Sequence, residues 1–499
     1  MLTTRRDFLK AAGVGALVTV AGTKSAGRVL GANGTIRVAV AGLNGRGGSH
    51  VSAWLNTPGV EIAYLIDPDT RTYKKHLKSI ADKGAPAPKC VQDARQALDD
   101  KALDALSIAT PNHWHALMTI WGCQAGKDVY VEKPCSHNVH EGRIAVDCAR
   151  KYNRIVQHGT QSRSSAQWAA MAELVKSGKY GKLLVSRALC YKDGLGRGGK
   201  ADRTTRGDIG FAQAKAPPSE LDFNIWLGPA PQQPYHENLV HYRWHWFWDF
   251  GNGDIGNQGV HEMDKARWMI PGATLPRTVL SLGGRLNHEK DQGQTPSTQL
   301  AFLDFGGTEL LFEVRGLPSK AYQGQKVGNV LHFEGGTVTG DPEERGSFQF
   351  TPKNGGTPEK LTLRGKRGPL AEGKGETHFR NFIAAVRSRK VEDLNADILE
   401  GHRSAALIHL ANASYRCGEQ VPFGAEAKSV NGYKDAEEAI ERMKEYLSKE
   451  NGLKLSDLHL TVGRKLTIDA GGESVVGDAQ ANKLLTREYR APFTVPAKV

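Results

Sequence analysis

Apolar positions along this chain follow two patterns. Between Thr35 and His158, short apolar runs alternate with segments in which apolar residues recur every three or four positions. Thr35 to Ala41 begins by alternating and ends wholly apolar, and Val60 to Ile66, Leu106 to Ala109 and Asp128 to Val131 are similar runs. Short apolar runs bounded by turn residues read as strands buried on both faces, and the periodic segments read as amphipathic helices. The spacing predicts helices over about Ser49–Thr57, Thr70–Lys83, His115–Ala125 and Glu141–Tyr152, and a further strand over Arg154–His158. Strands and helices alternating through short turns predict a parallel, doubly wound sheet.

After Gly159 the pattern changes. Leu183–Tyr191, Arg277–Leu282, Thr298–Phe305, Leu310–Val314, Val330–Phe333 and Phe348–Phe350 are strand candidates, several of them separated by Gly-Gly or Gly-Asp turns. That predicts an α+β domain built on an open, mostly antiparallel sheet, with long helices at His378–Ser388 and Leu399–Arg416. A basic, glycine-rich stretch, Lys192 to Arg206, precedes an aromatic-rich one, Trp226 to Trp248, which is expected to be ordered and to line a pocket. The expected organisation is a leader over 1–32, a Rossmann domain over 33–158, a substrate domain over 159–430 and an appendage over 431–499. In the appendage, Ala436, Ile440, Met443 and Leu447 form a helical stripe expected to dock on the body.

A chain of 499 residues is too long for one core, and 39% hydrophobic with 24% charged residues is ordinary globular composition. Its first residues read as a leader. Arg5-Arg6-Asp7-Phe8-Leu9-Lys10 precedes the apolar stretch Ala11 to Gly22, the arrangement of a twin-arginine export signal. The apolar run is about twelve residues, against the roughly twenty of a membrane span. Twin-arginine export moves folded protein, so a periplasmic or secreted product carrying its cofactor is expected. Removing 1–32 lowers the formal charge from +13 to +9. No basic run is interleaved with aromatics, so nucleic acid is not expected as a partner. The six cysteines include no CxxC pair, which leaves buried free thiols as the expectation. No metal site is expected.

Chemistry concentrates at three places. Gly42-Leu43-Asn44-Gly45-Arg46-Gly47 lies between a strand and a helix, as a dinucleotide turn does, with Asn44 where the middle glycine would be. Asn tolerates positive φ better than other side chains, so it is expected to adopt that conformation here. Asp67, about twenty residues on, ends the second strand where a carboxylate meets the ribose of NAD. Asp67 favours NAD over NADP, while Arg46 and Arg71 keep NADP open. The second place is Glu132-Lys133-Pro134 at the carboxyl end of a parallel strand, where a cation can touch both a cofactor and a hydroxyl being oxidised. The third is the segment 253–268, in which Asn257, His261, Asp264 and Trp268 share one face of a single helix. There His261 can take a hydroxyl proton while Lys133 steadies the alkoxide. The alternative for His261 is a core histidine bonded to Asp264.

Ala109-Thr110-Pro111-Asn112-His113-Trp114-His115, Glu132-Lys133-Pro134, Gly259-Val260-His261-Glu262-Met263-Asp264 and the glycine turn occur in an order that resembles the Gfo/Idh/MocA oxidoreductases over about residues 35–420. The resemblance implies a Rossmann domain plus an open antiparallel-sheet domain, and NAD(P)-dependent oxidation or reduction of sugars, inositols and related polyols. It implies Lys133 as catalytic lysine and His261 as the proton-transfer histidine. Thr110, Asn112, His115 and Glu132 join the glycine turn and Asp67 in the expected cofactor site, and Trp246 joins Lys133 and His261 in the expected substrate site. A homo-oligomer formed through the antiparallel sheet is expected. Relatives often carry Asp four residues before the histidine; Asn257 can orient a hydroxyl but cannot accept its proton, so the base role falls more heavily on His261. Two enzyme readings follow: a dehydrogenase of sugars or glycosides, and a redox-neutral glycosidase or lyase that passes through a transient keto-sugar. A non-catalytic binding protein on the same scaffold is the third reading, and Lys133 with His261 argues against it.

Overall fold

The computed structural model describes residues 34–192, 208–287, 291–340, 347–374 and 376–499, with a short pairing of Lys24–Ser25 against Arg28–Val29. The twin-arginine motif, the apolar run to Gly22 and residues 193–206 of the glycine-rich stretch lie outside the described residues. Among the described residues no helix is long and apolar enough to cross a membrane.

The amino-terminal domain is built on six parallel strands in the spatial order Lys89–Val91, Val60–Ile66, Ile36–Ala41, Ala105–Ile108, Asp128–Val131 and Val156–His158. Both faces of the first strand are covered: Ile36, Val38 and Val40 pack into one core, and Ala39 and Ala41 into another. That explains the run without alternation. From the first strand the chain moves to one side and later returns to Ala105–Ile108 on the other. The strand order therefore reverses beside the Gly42 turn, and open α/β sheets bind ligands at such points.

The helix expected from His115 begins at Asn112 and runs to Gln124, with Pro111 at its N-cap. Proline fixes φ and lacks an N–H, so it starts a helix without leaving a donor unpaired. Asn112, His113 and His115 consequently sit in the first helical turns, buried against the sheet.

The second sheet is larger than the hydrophobic pattern predicts. Its main path runs Glu359–Leu361, Phe348–Pro352, Gly336–Gly340, Val327–Phe333, Leu183–Tyr191, Glu309–Arg315, Thr298–Asp304, Thr278–Gly284, His459–Val462 and Glu419–Pro422. It is antiparallel except where Leu183–Tyr191 pairs with Glu309–Arg315. Gly336–Gly340 contains a single large apolar residue, Val338, which is why periodicity misses it. The helices Gly259–Trp268 and Ile398–Arg416 contribute to the core on one side of this sheet. Val185, Leu280, Leu300, Phe302 and Leu311 pack on the other side against Ala436, Ile440, Met443, Tyr446 and Leu447. Self-association through that face would thus meet the helix Ala436–Glu445 of the same chain rather than bare sheet.

The single helix expected over 253–268 is two: Gly253–Asn257 and Gly259–Trp268. A Cβ on Gly259 would lie 2.5 Å from the Phe312 ring, so the second helix approaches the sheet closely at that point. Asp264 turns away from His261 and holds Arg163 at 2.9 Å and the Ser404 hydroxyl at 2.6 Å. The core-histidine alternative for His261 therefore loses its proposed partner.

Candidate active site

The glycine turn owes its shape to two close approaches. Gly42 has φ +83°, and a Cβ there would lie 2.5 Å from the Ala109 carbonyl oxygen. A Cβ on Gly47 would lie 1.7 Å from the Gly42 oxygen, so Gly47 packs under the turn. Gly45 has nothing within 4 Å of its Cβ position. It opens onto the amino end of helix Gly47–Leu55, which no side chain caps. An uncapped helix start behind an open glycine suits a phosphate group. Asn44 does not adopt positive φ, contrary to expectation: within the turn only Gly42 does. The left-handed residue comes directly after the strand, so an L-residue at 44 meets no strain.

Asp67 ends the second strand and is 4% exposed. Its Oδ2 accepts the Leu43 N–H at 2.7 Å and its Oδ1 accepts the Asp69 N–H at 2.9 Å. Burial pushes its carboxyl up to about 6, against the lowering effect of those two amides. Sequence reasoning missed Asp69 beside it. Asp69 pairs with Arg71 and accepts from His241 Nε2 at 2.8 Å, although 172 positions separate Asp69 from His241. The Asp67-Pro68-Asp69 spacing was the available signal.

These groups open into one cavity of about 940 Å³, lined by Gly42, Asn44, Gly45, Arg46, Asp67, Thr110, Asn112, His115, Glu132, Lys133, Asn257 and His261. Both domains contribute to it. Of the residues expected in the site, Gly47 and Trp246 do not line it. Trp246 is 2% exposed and packs with Trp226, Leu239 and Phe250. Arg243–Trp246 is a 3₁₀ turn, and three residues per turn point Trp246 away from Trp244 and His245. Those two do line the cavity, with Trp226 and Tyr242, and their rings stack at 3.6 Å.

Glu132 is the anchor beneath Lys133. Its Oε1 accepts from Arg46 at 2.8 Å, meets His50 Nε2 at 3.1 Å and accepts from Gln161 at 3.2 Å. Burial alone would raise its carboxyl, but His50, Arg46 and Lys133 together hold it well below the usual range. His115 bridges two loops, with Nδ1 at 2.6 Å from the Pro134 oxygen and Nε2 at 2.8 Å from the Thr110 oxygen. Asn112 donates to Asn252 at 3.1 Å.

Lys133 donates from Nζ to the Asn257 carbonyl oxygen at 2.5 Å, across the boundary between the domains. Burial lowers its ammonium to about 8, and Lys192 and Arg46 push the same way against Glu132. His261 is pushed well below its usual value, first by burial and then by Lys133. It therefore enters neutral, able to accept a proton, and among the described residues no hydrogen bond engages its ring. The Asn257 amide donates to the Tyr242 hydroxyl at 3.3 Å.

The residues fit a dinucleotide. Gly45 leaves room at an open helix start, Asp67 offers a carboxylate at the strand end, and the buried Thr110 hydroxyl has no partner among the described residues. The fold and the cavity are those of a Rossmann-type scaffold with room for a dinucleotide. Residues 36–160 match the model described as "Oxidoreductase family, NAD-binding Rossmann fold", and residues 205–290 match "Oxidoreductase family, C-terminal alpha/beta domain". Both models are of the Gfo/Idh/MocA family, and the two matches together cover less than half of this chain.

Among curated proteins, a 209-residue stretch is 28% identical to a "Glycosyl hydrolase family 109 protein" of Shewanella pealeana, covering 38% of this chain and 46% of that one. A 156-residue stretch is 29% identical to an inositol 2-dehydrogenase of Leifsonia xyli subsp. xyli, covering 31% and 44%. The chain spans about half the length of the curated relatives it matches. Among solved structures, the aldose-aldose oxidoreductase of Caulobacter crescentus complexed with glycerol aligns with TM-score 0.53 over 76% of this chain and 97% of that one. At 15% identity that likeness is one of fold.

Proposed function

We propose that the protein is an NAD-dependent oxidoreductase acting on a CH–OH group of a sugar, glycoside or polyol. The observation that carries this reading is the placing of Lys133 and a neutral His261 on one cavity with the glycine turn. A bound NAD supplies the acceptor, or donor, for hydride at the carbinol carbon. His261 takes the hydroxyl proton, and the Lys133 ammonium stabilises the negative charge that develops on that oxygen. Asn257 holds Lys133 through its carbonyl and directs its amide toward the cavity wall at Tyr242. Trp244, stacked on His245, lines the cavity and offers an aromatic surface beside which a sugar ring can pack.

The cofactor is held tightly in this reading. A strap from the second domain crosses the ribose end of the site: the Thr70 N–H donates to the Glu220 oxygen at 3.0 Å, and the Asp222 N–H to the Pro68 oxygen at 2.9 Å. His241 closes the strap onto Asp69. The expected effect of His241→Ala is release of NAD about tenfold faster, the scale of one lost hydrogen bond to a charged group. Fluorescence-detected release of bound NADH measures it, and an unchanged rate removes the strap from cofactor retention. A resident cofactor accords with export of the folded protein by the twin-arginine machinery into the periplasm, where no nicotinamide pool is at hand.

The name shared by the Shewanella relatives favours a second reading, a redox-neutral glycosidase or lyase that oxidises a sugar transiently, eliminates the aglycone and ends with no net redox change. One experiment separates the two. The cofactor-loaded protein is mixed with glycosides while reduced-nicotinamide absorbance and free aglycone are followed. Lasting reduction with a keto-sugar product identifies the dehydrogenase, and aglycone release without net reduction identifies the glycosidase. The absence of both across sugars, glycosides and polyols would sink the proposal.

A further inference from the structure

The part of the cavity around Lys133 and His261 holds a second cation. Lys192 follows the strand Leu183–Tyr191 and lines the cavity beside Gln258. Its Nζ donates to Gln258 Oε1 at 2.6 Å. The same amide donates from Nε2 to both Glu262 oxygens at 3.3 Å, which turns its carbonyl toward the lysine. Glu262 is also engaged by Lys265 at 3.4 Å. Lys192 is thus aimed by a neutral acceptor, which orients an ammonium without cancelling its charge.

Lys133 is held in the same manner, by the neutral Asn257 carbonyl. Among the described residues, the two carboxylates that line the cavity are already engaged: Asp67 by two backbone amides, and Glu132 by Arg46 and His50. Among the described residues no carboxylate pairs with Lys192. Repulsion from Lys192 contributes, after burial, to the lowered value of Lys133. A neutral polyol would leave Lys192, and Lys133 offset only in part by Glu132 and Glu262, facing it in a partly dry cavity. Uncompensated charge of that kind is costly, and an incoming anion relieves it.

We propose that the substrate carries an anionic group, a carboxylate or a phosphate, which Lys192 binds beside the hydroxyl served by Lys133 and His261, with Gln258 orienting Lys192. This rests on the functional reading above, and its test does not depend on turnover. Hexuronates, hexose phosphates and their parent hexoses are titrated into the NAD-loaded protein by calorimetry. Anionic sugars are expected to bind about tenfold or more tightly than their neutral parents. Lys192→Ala is expected to abolish that preference and Lys192→Arg to keep most of it. Comparing the uronates with the phosphates tells which anion the site takes. If no anionic sugar outbinds its parent, or if the preference survives in Lys192→Ala, the proposal is overturned. Absence of oxidation with a preserved, Lys192-dependent preference would instead defeat the functional reading alone.

Discussion

Lys133→Ala is expected to lower kcat by about 10²–10³-fold, the scale of one lost charge-stabilising donor at a reacting oxygen. The folded state and the bound NAD should both survive, because Lys133 Nζ bonds only the Asn257 carbonyl among the described residues. Steady-state kinetics with cofactor stoichiometry measured on the same sample checks this. The pH profile gives a second reading. The ammonium works protonated and sits at about 8, lowered mainly by burial. In the wild type, kcat/KM should hold near neutrality and fall as pH rises past about 8. A profile flat to pH 10 would show that the charge on Lys133 is not needed.

The same residue weakens the fold. Its ammonium has a lower pKa folded, about 8, than the 10.5 of an exposed lysine. Between those values the unfolded chain binds more protons than the native one, so stability rises with pH across that window. Below it the cost is present in full, on the order of 3 kcal/mol and less to the extent that water reaches the side chain. Lys133→Met should therefore raise Tm at neutral pH while removing activity.

Glu132→Gln is expected to destabilise the protein by about 3–5 kcal/mol, the cost of removing one partner from a buried charge pair. Arg46 keeps partial contact with solvent, which places the result toward the lower figure. Urea unfolding with an unchanged slope would measure it. The carboxyl is held well below its usual 4.5 by His50, Arg46 and Lys133. Its contribution is therefore present above pH 4.5 and disappears only as pH falls through the lowered folded value. Glu132→Gln links to the Lys133 profile as well. Glu132 is the chief influence keeping Lys133 protonated, so its loss should move the alkaline limb of kcat/KM to lower pH. A limb that stays in place would mean that Glu132 acts on Arg46 and His50 alone.

Much of this arrangement was legible in sequence because it is local. A strand, a glycine turn and a helix occupy consecutive residues, so the pattern at 36–55 fixes where Gly42, Gly45 and Arg46 stand. Asp67 and Lys133 were legible for a related reason: both end parallel strands, and strand ends converge on the switch point. His261 followed from its spacing, although the break at Gln258 and the pairing of Asp264 with Arg163 did not. Trp246 shows the limit of composition. Its segment is rich enough in aromatics to predict a wall, but which ring faces the cavity depends on a 3₁₀ turn that hydrophobicity does not encode. The His241–Asp69 contact was out of reach because its partners meet only in the folded chain. The edge strands Glu359–Leu361 and Glu419–Pro422 are too short to show a period.

Residues far along the chain finish structures begun near its start. His459–Val462 pairs with Thr278–Gly284, and Phe493 packs at 5.4 Å against Trp114, which lines the cavity. Arg490 ties the same segment to the Gly228 and Ala230 carbonyls beneath the aromatic wall. During synthesis the Rossmann strands emerge long before these partners exist. Until residues from 490 onward are in place, Trp114 lacks its Phe493 contact and the Gly228 and Ala230 carbonyls lack Arg490. A nick near residue 458 is therefore expected to be felt at a cavity some of whose lining residues lie more than 300 positions earlier in the sequence.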